Sequence, residues 1–166
     1  MSFKEHVFQY NPKLFKDDRG YLKVISEDNS LGVSYKESFS KKGVFRGMHI
    51  QTPPYSQVKH IMIMQGKIID YLIVLDRNSK HFGNIYSQEI TCSDKIYKIP
   101  EYCAHGYYAL QDSIIRYLCI GQYSEQNEIS ISECHHSKDN LIISKKDQDG
   151  ISLKKAKELF KKISWK

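Results

Sequence analysis

The chain has 166 residues, of which 40% are hydrophobic and 27% are charged, and its formal net charge is +6. That length fits a single domain, 1–166, and this balance excludes an intrinsically disordered chain. The apolar runs are too short to span a bilayer and the first residues lack the apolar stretch of a secretory signal, so we expect no membrane association and a cytoplasmic location.

Short β-rich segments separated by turn residues follow one another from about residue 21 to residue 123. Many short strands at regular spacing, without helices between them, predict an antiparallel sandwich or barrel. The predicted strands are 21–26, 32–38, 43–50, 59–64, 67–75, 84–91, 95–99, 104–110 and 113–123.

The C-terminal segment has a different pattern. Leu153, Ala156, Leu159, Phe160 and Ile163 recur at helical spacing with lysines on the other face. This predicts one amphipathic helix over about 152–164, which packs on the barrel or on a partner subunit. A lysine-rich helix face is usually solvated, and the chain has no nucleic-acid-binding motif, so we expect no nucleic-acid partner. The four cysteines form no CxxC pair and are predicted to be free thiols.

Four side chains of the predicted β-region have the chemistry for proton transfer at carbon. They are His49, Lys59, His105 and Tyr117. A histidine acts as a base near neutral pH, a lysine stabilises a developing enolate oxygen, and a tyrosine donates a proton from the opposite face. A single inward His or Tyr in a β-sandwich is more often a satisfied core group, so spacing alone does not define an active site.

Arg46 and His49 are three residues apart, which on a regular strand directs their side chains to opposite faces. We expect a bulge at Gly47 that brings the two side chains onto one face.

An ordered series of motifs from about residue 18 to residue 147 resembles the dTDP-4-dehydrorhamnose 3,5-epimerase family of cupins. A lone RGxH would be weak support, whereas the full series extends over a hundred residues. The motifs are DRG (18–20), GVFRGMHIQ (43–51), PYSQVK (54–59), QGKIID (65–70), FG (82–83), IPEYCAHG (99–106) and YLC (117–119).

The resemblance implies catalytic roles for individual residues. His49 matches the base, and Asp147 matches the carboxylate that orients it. Asp70 falls at an acidic position close to that histidine. Lys59 matches a group beside the ketone oxygen of the substrate, and Tyr117 matches the acid that protonates the opposite face.

The resemblance also implies substrate-binding positions and partners. His105 matches a group near the oxygens of the sugar, and Gln51 belongs with the substrate-binding positions. Arg46 resembles a diphosphate-contacting arginine, and Arg19 resembles one delivered from the neighbouring subunit. The implied assembly is a homodimer with exchanged N-terminal strands.

No metal and no cofactor are expected. His49 is followed by Ile50 and Gln51, so the clustered His-x-His and glutamate ligands of metal-binding cupins are missing. His135 and His136 lie in a polar segment and are expected to be solvated, with adventitious metal binding as the alternative.

Departures from the family pattern bear on the substrate. Leu22 and Val24 stand where the family has an aromatic and a glutamate, SYK (34–36) replaces Gln-x-Asn, and Ile50 replaces an aromatic. These departures favour a guanosine-linked 4-keto heptose or another bacterial surface sugar as an alternative to a thymidine-linked hexose.

The expected fold is therefore an all-β cupin jelly roll, a barrel or sandwich, with a short C-terminal helix. The expected function is 3,5-epimerisation of a dTDP- or GDP-linked 4-keto-6-deoxy sugar for bacterial surface polysaccharide synthesis. The alternatives are a C3-only epimerase, a sugar 3,4-ketoisomerase, which Ile50 and Gln51 disfavour, and a non-catalytic cupin that binds sugar nucleotides.

Overall fold

The computed structural model describes residues 10–134 and 141–165, so the expectation for His135 and His136 lies outside the described residues. The strands are β1 (Lys13–Asp17), β2 (Gly20–Asp28), β3 (Val33–Ser40), β4 (Phe45–Gln51), β5 (Val58–Gln65), β6 (Lys67–Val74), β7 (Ile85–Thr91), β8 (Tyr97–Ile99), β9 (Cys103–Ala109), β10 (Ser113–Ile120) and β11 (Glu128–Ser130). Two helices follow, α1 (Lys145–Gln148) and α2 (Leu153–Phe160).

The strands form two antiparallel sheets. A six-stranded sheet has the order β1-β2-β3-β10-β5-β8, and a five-stranded sheet has the order β11-β4-β9-β6-β7. Side chains from both sheets, among them Ile63, Ile68 and Ile115, form one buried cluster. This architecture confirms the predicted all-β fold, because alternate residues of each strand fill the space between two sheets.

Strand β6 shows why the five-stranded sheet is apolar on both faces. Ile68 and Leu72 pack into the cluster shared with the other sheet, whereas Tyr71 and Ile73 pack into a second cluster that contains Phe160 of α2. Helix α2 thus covers the outer face of this sheet. Of the two packing surfaces expected for the helix, it uses the barrel of its own chain. The Ser152 Oγ accepts a hydrogen bond from the Lys155 backbone N–H at 3.3 Å and caps the helix.

All nine predicted strands are present, and the predicted helix is confirmed in a shorter form. Three elements were missed: β1, β11 and α1. Every residue of β1 is exposed, so this strand lacks the alternation of buried and exposed side chains that marks a half-buried strand. Strand β11 and helix α1 have only three and four residues, which is too few to show a pattern. Helices in the described ranges are all too short or too polar to cross a membrane, and the four cysteines are free.

The expected bulge lies in β4. Arg46 pairs with Tyr107 of β9, but His49 pairs with His105, so β4 uses three steps where β9 uses two. Gly47 has a φ of +118°, and a Cβ at this position would lie 2.5 Å from the Gly106 Cα. Only glycine combines this φ with so close a backbone approach. The bulge turns Arg46 and His49 onto the same face of the sheet.

We expect Gly47→Ala to lower the free energy of unfolding by more than about 2 kcal/mol, because the added methyl meets the β9 backbone, which cannot move aside. Gly32→Ala is the matched control: Gly32 also has a positive φ (+60°), but its added Cβ has no neighbour nearer than 3.4 Å. We expect the control to lose about 1 kcal/mol. Equal losses in denaturant unfolding would show that the contact with β9 is not the constraint.

Candidate active site

A cleft of about 600 Å³ opens between the two sheets. The five-stranded sheet contributes Arg46, His49 and His105 to its lining, and the six-stranded sheet contributes Lys59 and Tyr117. Arg19 and Asp147 line it as well, so seven of the nine site residues predicted from the sequence share one cleft. His49 and Tyr117 belong to different sheets, so they approach the cleft from opposite walls.

His49 and Asp147 form a dyad. The His49 Nε2 and the Asp147 Oδ1 are 2.6 Å apart. Asp147 lies in the single turn of α1, where its backbone N–H donates to the Ser144 Oγ at 3.2 Å. An Nε2–H that donates to the carboxylate leaves the Nδ1 lone pair as the acceptor for a proton. The dyad thus fixes the tautomer that a base requires.

Two further donors reach the Asp147 carboxylate. The Gly47 backbone N–H and the Arg19 guanidinium donate to its Oδ2 at 3.3 Å and 3.1 Å. Burial alone would raise the pKa of Asp147, but the hydrogen bond from His49 and these two donors hold it below its ordinary value. The carboxylate therefore stays ionised and supports a positive charge on His49.

Arg19 reaches this site within its own chain and also binds Asp17. Its delivery from a neighbouring subunit stays a prediction. Arg46 donates from Nε to the Ser40 Oγ at 2.9 Å, and its guanidinium lines the cleft.

Asp70 requires a correction, because it was expected beside His49. Its Oδ1 lies 2.7 Å from the Nε2 of His105, and both side chains are buried. Strand β9 lies between β4 and β6, so the Asp70 carboxylate meets the histidine of β9 first. Asp70 is absent from the cleft lining and holds His105, and its substrate-binding role stays a prediction.

Gln51 is not among the residues that line the cleft. Its side chain is buried, and its Oε1 accepts a hydrogen bond from the Ser124 backbone N–H at 3.1 Å. Its substrate-binding role stays a prediction.

Lys59 and Tyr117 lie on adjacent strands of the other wall. Burial lowers the pKa of Lys59, against the opposing effect of nearby groups that include Glu128 and Asp70. Lys59 makes no hydrogen bond or ion pair with the part of the chain that the structure describes, so its ammonium is available to a substrate oxygen. Burial raises the pKa of Tyr117 well above its ordinary value, so its hydroxyl keeps its proton at neutral pH.

Sequence reasoning missed several polar residues of the cleft. Glu128 of β11 forms an ion pair with Lys146, and both line the cleft beside Asp147. Burial raises the pKa of Glu128, but the nearby His49 and Lys146 hold it below its ordinary value. Ser38 and Tyr107 also line the cleft. No local sequence motif marks Glu128, Lys146, Ser38 or Tyr107. For Ser38 and Tyr107, the alternation of side chains along a strand is the one signal that indicates an inward direction.

The described residues contain no group of three or more His, Cys, Asp or Glu side chains placed to hold a metal ion. The cleft presents the His49–Asp147 dyad on one wall and Lys59 and Tyr117 on the other.

Residues 4–155 match the family model described as dTDP-4-dehydrorhamnose 3,5-epimerase. The chain is 31% identical to the dTDP-4-dehydrorhamnose 3,5-epimerase of Methanothermobacter thermautotrophicus, over 83% of this chain and 84% of the relative. The crystal structure of the Sulfolobus tokodaii dTDP-4-dehydrorhamnose 3,5-epimerase is 33% identical, with a TM-score of 0.69 and coverage of 87% and 88%.

The Bacillus anthracis dTDP-4-dehydrorhamnose 3,5-epimerase, solved with TDP and PPi bound, is 27% identical, with a TM-score of 0.65 and coverage of 85% of this chain and 90% of the other. These structures share the cupin jelly roll, as the motif series predicted. Together with the family match, they show that the chain is an isomerase and belongs to the dTDP-4-dehydrorhamnose 3,5-epimerase family.

Proposed function

We propose that this protein is a 3,5-epimerase of a nucleotide-diphosphate-linked 4-keto-6-deoxy sugar. One observation carries the proposal: an oriented histidine base and a protonated tyrosine face each other from opposite walls of one cleft. Inversion at carbon requires this arrangement, because the proton must leave from one face and return to the other.

The reaction proceeds through an enolate. The C4 ketone acidifies the protons at C3 and C5, and His49 removes one of them through its Nδ1. The electron pair moves onto O4, where the Lys59 ammonium stabilises the charge. Tyr117 then delivers its proton to the other face of the carbon, and the ketone re-forms. His105, held by Asp70, lies beside His49 and binds an oxygen of the sugar.

In this proposal, two arginines of the cleft bind the diphosphate of the substrate. The TDP and PPi bound by the Bacillus anthracis relative are ligands of this class. Arg46 and Arg19 line the cleft, and guanidinium groups bind phosphate oxygens in a bidentate manner.

The identity of the nucleotide base and of the sugar rests on the departures from the family pattern. Leu22, Val24 and Lys36 all line the cleft. Their position supports a substrate other than the thymidine-linked hexose, such as a guanosine-linked 4-keto heptose. The dTDP-linked sugar is the reference, because the relatives are named for it.

The proposed setting is the bacterial cytoplasm, where the product enters surface polysaccharide synthesis. We also propose a homodimer formed through the N-terminal strands. The apolar side chains of Leu14 and Phe15 on β1 are 51% and 57% exposed in the single chain. Adjacent exposed apolar residues on an edge strand are typical of an interface.

We expect His49→Ala to slow deuterium entry at both C3 and C5 by at least about 10²-fold, because the variant lacks the general base. The measurement is NMR of dTDP- and GDP-linked 4-keto sugars in D2O. His60→Ala is the matched control, since His60 lies on β5 outside the cleft lining and its loss leaves exchange unchanged. Exchange near the wild-type rate in His49→Ala would move the base elsewhere, with His105 as the next candidate.

We expect Tyr117→Phe to separate exchange from inversion. His49 and Lys59 still cleave the C–H bond, so deuterium enters with retention, while inversion falls by about 10²–10⁴-fold. Both rates are followed by NMR on one substrate.

Tyr71→Phe is the control for this variant, because Tyr71 is a buried tyrosine in the cluster on the other side of the five-stranded sheet. We expect it to leave both rates unchanged. Near-normal and equal rates of exchange and inversion in Tyr117→Phe would overturn the assignment of acid and base to opposite walls.

A further inference from the structure

Four buried or partly buried hydroxyl groups form a continuous chain between Tyr117 and Arg46. The Tyr117 hydroxyl lies 3.0 Å from the Ser38 Oγ, which lies 3.1 Å from the Tyr107 hydroxyl. The Tyr107 hydroxyl lies 2.8 Å from the Ser40 Oγ. The Arg46 Nε donates to this Ser40 Oγ at 2.9 Å and ends the chain.

The guanidinium end determines the direction of the hydrogen bonds. Arg46 has only N–H donors, so Ser40 must accept from it. Ser40 is 0% exposed, and within the described ranges its hydroxyl has one other partner, Tyr107. Its hydrogen is therefore donated to Tyr107. Tyr107 then donates to Ser38, and Ser38 donates to Tyr117.

The reverse direction leaves a buried hydrogen without an acceptor. If Tyr117 donated to Ser38, Ser38 to Tyr107 and Tyr107 to Ser40, the Ser40 hydrogen would have no partner in a fully buried position. A change of direction at Ser38, which is 1% exposed, would strand the hydrogen of Ser38 in the same way. Buried unpaired donors are disfavoured, so the chain runs from Arg46 to Tyr117.

We propose that this chain of hydroxyls aims the proton of Tyr117 into the cleft. Tyr117 accepts a hydrogen bond from Ser38, so its own hydrogen is free to point at the substrate carbon. Ser38, Tyr107, Ser40 and Arg46 are thus positioning residues that act through Tyr117. The inference rests on the proposed epimerase function, in which Tyr117 is the acid.

The chain also supports the protonation step itself. The Tyr117 O–H bond breaks while the enolate electron pair forms the new C–H bond and O4 returns to a ketone. The phenolate that remains keeps the hydrogen bond donated by Ser38. Water in the open cleft then takes the proton from the His49 imidazolium and supplies one to the phenolate, which resets both groups. Burial raises the pKa of Tyr117 and the nearby Tyr107 raises it further, while the bond with Ser38 and the charge of Arg46 act in the opposite direction. Ser38 therefore stabilises the side chain after it has given up its proton.

The central test is Tyr107→Phe, which keeps the ring and removes one hydroxyl. Ser38 then receives no hydrogen bond and can accept one from Tyr117, which draws the reactive proton away from the substrate. We expect the ratio of inversion to deuterium exchange, measured by NMR at saturating substrate, to fall roughly 10-fold. Exchange itself changes little, because His49 and Lys59 remain. A purely structural role would lower both rates together and leave their ratio unchanged.

Ser38→Ala is a second variant that guards against misfolding of the first. It removes the direct donor to Tyr117, and we expect the same fall in the ratio, with recovery in Ser38→Thr, which keeps the hydroxyl. Ser130→Ala is the matched control: Ser130 is a serine of β11 outside the cleft lining, and its buried Oγ has no hydrogen-bond partner in the described residues. Its ratio stays at the wild-type value.

The outcomes separate this inference from the proposed function. Normal ratios in both Tyr107→Phe and Ser38→Ala, with a lowered ratio in Tyr117→Phe, overturn the positioning role alone. A wild-type protein that neither exchanges nor inverts any nucleotide-4-keto sugar overturns the proposed function and this inference with it.

Discussion

The close approach of the Gly47 and Gly106 backbones is the constraint on which the cleft depends. It creates the extra step in β4 that turns Arg46 and His49 onto one wall. The same bulge directs the Gly47 backbone N–H at the Asp147 carboxylate, which also binds His49. One irregularity of the sheet thus sets the direction of the imidazole and helps to place the carboxylate that orients it. A regular strand would separate these functions between two faces.

The paired carboxylates determine which groups of the cleft remain reactive. Asp147 binds His49, Asp70 binds His105, and Glu128 binds Lys146. A carboxylate that is already satisfied by such a partner makes a poor base. The imidazole of His49 is the base of the proposed mechanism. On the opposite wall, Lys59 lacks a charged partner within the described residues, and Tyr117 holds its proton firmly. The carboxylates that hold other side chains are thus distinct from the groups proposed to react with the substrate.

Much of the fold was predictable because β-rich runs, the turn residues between them and helical spacing are local signals. They located nine strands and the helix that carries Phe160, whereas β1 is a short strand that is exposed along its whole length. The motif series brought His49, Lys59, His105 and Tyr117 together correctly. It did not reveal the partners of Asp70 and Gln51, which depend on strand order and on the segment before β11 rather than on neighbouring sequence. Ser38 and Tyr107 were missed for the same reason, since the bond between them joins different sheets.

Leu22 and Val24 give the cleft an apolar stretch on β2, a strand that supplies none of the proposed proton-transfer groups. An apolar surface distinguishes ligands that differ by one methylene by only about 1–3 kcal/mol, whereas a site of hydrogen-bonding groups rejects a mismatched ligand far more strongly. Substitutions on β2 therefore retune ligand choice in small steps and leave the dyad untouched. In the proposed enzyme the apolar stretch of β2 and the proton-transfer groups are thus separate, so a change of sugar specificity does not require a change of the catalytic groups.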